Sequence, residues 1–317
     1  MAKHMTLPSD VRATPRTILL LGGTGFLGTN LAMHLRRAGH RVLVTGRAPA
    51  ARDGSPALTL PLDDVSAVVA LVRAEYVDTV VHLACQLLPS STEAAYAKEL
   101  AHVTLPMFRL ARELAAIGVG LTFLSSGGTV YGASTQATVA ERDGCQPISL
   151  YGQAKLEAEL HLGFLARTCG LRLLIFRPSN PYGLHQPLRG AQGLVSVILG
   201  RIIDDRPLDI WGDGLVVRDY IHVDDAIGAM AGLIERNAEG TFNIGSGVGH
   251  SLLDVVLSVE EVTGRSLTLN FHPARAADVP RLVLDVSRLA STGLLRARSL
   301  TDGVRCYAEQ LGLTQRG

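Results

Sequence analysis

A glycine-rich turn between a short apolar run and an amphipathic segment constrains this chain more than any other feature. Thr17-Ile18-Leu19-Leu20-Leu21 has the length and character of a buried strand, and Gly22-Gly23-Thr24-Gly25-Phe26-Leu27-Gly28 follows it at once. Residues 26–38 then carry apolar side chains at helical spacing and stop at Gly39, a natural helix terminator. Glycines allow the tight turn and let a pyrophosphate approach the backbone. The helix that opens there offers free N–H groups and a favourable dipole to the anion. The turn therefore predicts a dinucleotide site at Gly22, Thr24, Gly25, Phe26, Leu27 and Gly28.

The end of the second strand, Arg41 to Thr45, is less orthodox. A carboxylate there accepts the ribose 2′-OH of NAD, whereas a nearby arginine suits the 2′-phosphate of NADP. This chain reads Thr45-Gly46-Arg47, with no carboxylate. Either NAD or NADP is expected: Arg47 leans toward NADP, unless it is only a solvated loop arginine. Asp63 or Asp64 is placed to hydrogen-bond the adenine, and Asp64 fits a helix N-cap equally well.

Strand and helix patterns continue to alternate. A helix is predicted over 66–75, a strand over 79–83, one long helix over 92–116, a strand over 119–125, a helix carrying Tyr151, and a strand over 172–176. Alternation of this kind implies right-handed crossovers and a Rossmann doubly wound parallel sheet, an α/β fold with helices on both faces. After Arg177-Pro178 the rhythm changes and loops lengthen. We expect a dinucleotide-binding domain over 16–177 plus about 217–250. A smaller C-terminal lobe, about 178–216 and 251–317, would bind substrate, and 1–15 would be a flexible tail. A cleft between the lobes is the default ligand site.

Composition excludes several classes. Of 317 residues, 47% are apolar and 19% charged, which marks a globular chain rather than a disordered one. Thirty basic residues against 29 acidic give +1, and no basic patch with interleaved aromatics is present, so no nucleic-acid partner is expected. The four cysteines are widely spaced, without CxxC or Cys/His metal spacing, as befits reduced thiols and no metal site. The first sixteen residues lack the apolar core of a signal peptide. No apolar run approaches the ~18 residues of a membrane span. A cytoplasmic location without membrane contact is the expectation.

Tyr151 and Lys155 lie four residues apart, on one face of the predicted helix. An ammonium so close favours the phenolate and lowers a tyrosine pKa from about 10 toward working pH. A tyrosine tuned that way moves protons at a substrate hydroxyl or carbonyl. A chance pair on a solvated helix face is the competing reading.

Taken together, these features resemble the extended short-chain dehydrogenase/reductase family, and within it the nucleotide-sugar epimerase/dehydratase group. The markers are Val81-His82-Leu83-Ala84, Ser125-Ser126-Gly127-Gly128-Thr129-Val130-Tyr131-Gly132, the Tyr/Lys pair, Arg177-Pro178-Ser179-Asn180-Pro181-Tyr182-Gly183, and Trp211-Gly212-Asp213-Gly214 leading to Val217-Arg218-Asp219-Tyr220. The resemblance implies that Tyr151 is the acid/base and that Lys155 holds the nicotinamide ribose. It adds Leu83, Ala84, Ser125 and Pro178 to the cofactor side. It implies that Asn180 and Arg218 grip a substrate diphosphate, that Arg275 and Asp278 hold phosphate and ribose, and that Leu194 and Trp211 pack on the nucleotide. Trp211 serves equally well as ordinary core, and the arginines as surface ion-pair partners.

Two departures stand out. The family's serine or threonine four residues before the tyrosine of the Val-Tyr-Gly marker is replaced by Gly127. Thr129 or Ser126 is the candidate stand-in, with a purely structural hydroxyl as the alternative. His102 sits where asparagine is common, and reads as a core histidine or as a polar contact on the cofactor side. The expected activity is a UDP-glucose 4-epimerase-like epimerisation of a nucleotide-diphosphate sugar by transient C4 oxidation. A nucleotide-4-ketosugar reductase using NADPH is the alternative, ahead of a dehydratase and of an inactive NAD(P)-binding scaffold. A homodimer is also implied.

Overall fold

The computed structural model describes residues 14–134, 136–190, 192–274 and 279–314. The first half contains β1 (Thr17–Leu21), α1 (Phe26–Arg37), β2 (Arg41–Gly46), β3 (Leu58–Thr59), α2 (Val65–Ala74), β4 (Thr79–His82), α3 (Glu93–Glu99), α4 (Leu105–Ala116), β5 (Gly120–Leu124) and α5 (Leu150–Cys169). There follow β6 (Leu173–Pro178), β7 (Asn180–Tyr182), α6 (Leu194–Asp204), β8 (Leu208–Trp211), β9 (Val217–His222), α7 (Val223–Glu235) and β10 (Gly240–Ile244). The chain ends with β11 (Gly249–Ser251), α8 (Leu252–Thr263), β12 (Leu269–His272), β13 (Arg281–Leu282), α9 (Ser287–Ser291) and α10 (Leu300–Gln310).

Seven strands form one sheet in the order β10-β6-β5-β4-β1-β2-β3. Every neighbouring pair in it is parallel. A parallel sheet must be covered on both faces, which is why its strands are almost wholly apolar. Helices α1 and α7 cover one face, with Leu31, Leu35, Ile227 and Met230 among the buried contacts. Helices α2, α4 and α5 cover the other, through Val68, Leu110, Leu114, Ala158 and Leu162. The expected Rossmann α/β architecture is present. Strand order reverses between β1 and β4, and this switch point opens a crevice at the carboxyl ends of the strands.

The remaining strands stay out of the large sheet. β9 pairs with β7, β11 and β13, and β8 pairs with β12. A separate core of α6, α8 and α10 packs Val195, Leu199, Val255, Val259 and Val304. Among the described residues no helix is long and apolar enough to cross a membrane.

The helix expected over 92–116 is present as one helical run from Glu93 to Ala116, in which a π-helical turn at Leu100–Thr104 joins α3 to α4. Pro106 sits in the first turn of α4. It has no N–H for the carbonyl four residues back, on His102, and the wider turn absorbs that defect. The consequence is local: His102 swings to an exposed position rather than into the core.

Candidate active site

Helix α5 delivers the central side chains. Ser149 caps its N-terminus by accepting a hydrogen bond from Gly152 N–H, and Gly170 ends it in the left-handed conformation at φ 68°. Tyr151, Lys155 and Glu159 then project from successive turns of one face. The Lys155 ammonium donates to the Leu124 carbonyl at 2.8 Å and lies 5.8 Å from the Tyr151 ring centroid. Ser126 lies on the same cavity wall as Tyr151 and works to lower the pKa of its phenol.

The electrostatics differ from the sequence expectation. Burial raises the Tyr151 pKa above its ordinary value, and the lowering by Lys155 and Ser126 offsets this only in part. Cys85 and Glu99 push the same way as burial. Burial also works to neutralise Lys155, yet Cys85, Tyr151, Glu99 and Glu159 around it hold its pKa above the usual lysine value. The pair is therefore a neutral phenol beside a firmly charged ammonium. His82, sealed at the end of β4, is pushed down to about 3 by burial and by Lys155, so it is neutral.

Gly127 explains the missing hydroxyl. A Cβ there would stand 2.7 Å from the Arg177 carbonyl oxygen and 2.8 Å from Leu284 Cδ1. The backbone is too close to its neighbour for any side chain. Of the two candidate stand-ins, Ser126 is the one that works to lower the Tyr151 pKa, while Thr129 Oγ1 is buried without a partner.

Two cavities flank this cluster. One, of about 430 Å³, is lined by Gly22, Thr24, Gly25, Arg47, Asp63, Leu83 and Ala84, together with Cys85, Gln86 and His102. Gly22 has φ 76°, and a Cβ on it would meet Ala84 Cα at 2.7 Å, so only glycine permits this turn. The N-terminus of α1 carries no acidic residue in its first turn. An apolar-walled slot with a backbone cradle and a free helix N-terminus suits a dinucleotide pyrophosphate. Gly46 lies directly against the Thr24 side chain, which leaves Arg47 as the polar group where a carboxylate was sought. Asp64 caps α2 by accepting from Ala67 N–H at 3.0 Å, as expected for an N-cap. Asp63 lines the cavity and pairs with His102 Nδ1 at 3.2 Å, a contact that lowers the Asp63 pKa.

The second cavity, of about 380 Å³, brings together Ser126, Thr129, Tyr151, Asn180 and Leu194. Phe26, Leu27, Ser125 and Pro178, expected on the cofactor side, line this cavity instead. The glycine loop thus forms a wall of both spaces. Asn180 Nδ2 donates to the Asp219 carbonyl at 2.8 Å. Trp211 and Arg218 line neither cavity: Trp211 stacks on His272 at 5.3 Å, and Arg218 donates to the Val217 carbonyl at 2.9 Å. Gly28 and Lys155 sit behind the walls rather than on them. Arg275 and Asp278 lie outside the described residues. A larger cavity, of about 690 Å³, runs along α5 by Leu156, Leu160 and Gly163; of its polar groups, Glu159 and Arg177 satisfy each other, and Arg167, Glu239 and Thr241 also line it.

Three groups at the site were not singled out in the sequence. Glu159 accepts from Ser125 and from the Arg177 guanidinium at 3.0 and 3.1 Å, wholly buried beneath the site. Its spacing, one further turn along the Tyr/Lys face, was the available signal. Glu99 is only 4% exposed and accepts from Gln86 N–H at 2.9 Å. Burial pushes the Cys85 thiol up, and the Glu99 carboxylate acts in the same direction. Glu99 gave no warning, because a charged residue within a supposed continuous helix reads as solvated.

Known proteins agree with this architecture. The model of the NAD-dependent epimerase/dehydratase family matches residues 18–245. A dTDP-4-dehydro-6-deoxyglucose reductase of Escherichia coli is 31% identical over 237 residues, 74% of this chain and 75% of the relative. The crystal structure of the Thermus thermophilus UDP-glucose 4-epimerase in complex with NAD superposes with a TM-score of 0.85 at 28% identity, covering 93% of this chain and 99% of that one. The Thermotoga maritima UDP-glucose 4-epimerase with UDP-glucose gives 0.86 at 28% identity, covering 93% and 98%. The chain belongs to the NAD-dependent epimerase/dehydratase family. It is an enzyme fold of the nucleotide-sugar epimerase and reductase class, built for a nicotinamide dinucleotide.

Proposed function

We propose that this chain is a nucleotide-diphosphate-sugar 4-epimerase resembling UDP-glucose 4-epimerase. The observation that carries the reading is Tyr151 on the wall of a cavity that it shares with Ser126 and with Phe26 and Leu27 of the glycine loop, with the Lys155 ammonium 5.8 Å from its ring centroid. A bound nicotinamide dinucleotide supplies the hydride acceptor and donor. In its ionised form Tyr151 takes the proton from the sugar O4 hydroxyl and later returns it. Ser126 holds that oxygen in line, and Lys155 favours the phenolate that forms before the transfer. Asn180 and Leu194 hold the substrate across the cavity. Arg218, Trp211, Arg275 and Asp278 are assigned to the nucleotide and its phosphates by family likeness alone. Purified protein is expected to convert UDP-galactose to UDP-glucose with no added cofactor. Absence of conversion across nucleotide sugars, with NADPH consumed mole for mole on a nucleotide 4-ketosugar, refutes it.

Arg47 favours a second reading, a 4-ketoreductase using NADPH. If Arg47 meets a 2′-phosphate, 2′,5′-ADP will compete for the cofactor site about tenfold better than 5′-AMP, and Arg47→Ala will abolish the difference. Equal competition leaves Arg47 as a surface charge and removes this reading's support. A homodimer is also proposed, through the face of α4 and α5 where Leu105, Leu160 and Phe164 are exposed.

A further inference from the structure

The cavity beside Tyr151 has a property that the Tyr/Lys chemistry does not require. Its polar lining includes Ser126, Thr129, Tyr151, Asn180, Gln186 and Gln192, with Ser125, Ser179 and two further tyrosines, and is neutral throughout. Among the described residues that line it there is no lysine, arginine, histidine, aspartate or glutamate.

The nearest buried cations are committed elsewhere. The Lys155 ammonium is held by the Leu124 carbonyl at 2.8 Å. The Arg177 guanidinium is spent on Glu159 at 3.0 and 3.1 Å and on the Tyr131 hydroxyl at 2.9 Å. Gln186 is fixed as well: its Nε2 donates to the Pro181 carbonyl at 3.2 Å, and its Oε1 accepts from Ser196. Two of the lining hydroxyls, Thr129 Oγ1 and Ser179 Oγ, have no partner within the protein.

From this lining we infer that the enzyme selects a neutral sugar and rejects a uronate. The inference rests on the nucleotide-sugar reading and specifies the sugar class within it. A carboxylate brought into such a cavity loses its hydration and finds no cation to replace it. A hydroxyl or hydroxymethyl group meets donors and acceptors of its own kind and loses little. Discrimination comes from the missing charge and not from size, because the two kinds of sugar differ little in volume.

Calorimetric titration of the purified protein, retaining whatever cofactor it carries, tests this with UDP, UDP-glucose and UDP-glucuronate. The last two differ only in CH₂OH against carboxylate at C6. UDP-glucose is expected to bind at least about tenfold more tightly than UDP-glucuronate, a difference typical of leaving one buried charge unpaired. Equal affinity, or preference for the uronate, overturns the inference while leaving the nucleotide-sugar reading intact. UDP binding that neither sugar improves also overturns it. Failure of UDP itself to bind removes the nucleotide-sugar reading and this inference with it.

Discussion

Tyr151→Phe is expected to lower kcat by about 10²–10⁴-fold while leaving cofactor affinity unchanged, because the proposed proton acceptor is the ionised form of this phenol on the cavity wall. The substitution removes one oxygen and keeps the ring, so the packing of α5 is preserved. A hydrogen bond lost with that oxygen is worth about 1 kcal/mol, far too little to explain such a loss through folding. Cofactor titration and steady-state kinetics on the same preparation separate the two effects. The pH profile carries a second signature. Burial holds the Tyr151 pKa above its ordinary value and Lys155 works against that rise, so turnover should increase with pH as the phenol ionises. Lys155→Met removes the lowering influence and should move this limb to higher pH. A Tyr151→Phe enzyme with full turnover, or a Lys155→Met profile unmoved, contradicts the assignment.

Glu159→Ala is expected to destabilise the fold by about 3–5 kcal/mol, the usual cost of removing one partner of a buried ion pair. Arg177 and Glu159 side chains are 7% and 6% exposed, so the charge left on Arg177 would be largely desolvated. The guanidinium would keep only the Tyr131 hydroxyl and the Glu141 carbonyl as acceptors, at 2.9 and 3.4 Å. Ser125, at the end of β5, would lose its acceptor in the same step. Urea denaturation of the variant and its parent measures the difference. A change below about 1 kcal/mol would mean that the ion pair is offset by its own desolvation.

Much of this was legible in the sequence because it depends on short-range pattern. The glycine turn after an apolar run announced the first βαβ unit, and the four-residue step from Tyr151 to Lys155 announced one helix face. Asp64 as an N-cap followed from its place before the apolar run of α2. What the sequence concealed depends on contacts far apart along the chain. Gly127 is excluded from carrying a side chain by the Arg177 carbonyl, 50 residues on, so the choice of Ser126 over Thr129 needed the fold. Tyr151 was expected below its ordinary pKa because its charged neighbour is visible in sequence, whereas the burial that outweighs it is not. Pro106 was visible, but the π turn it provokes, and the exposure of His102 beside Asp63, emerged only from the path of the helix.

Isotope tracing at the sugar C4 tests the central claim most directly. UDP-glucose carrying deuterium at C4 should yield UDP-galactose with the label still at C4 and no dinucleotide added, while the Tyr151→Phe protein yields none. Absence of epimer from the parent protein, with NADPH consumed mole for mole when a nucleotide 4-ketosugar is supplied, would contradict the account.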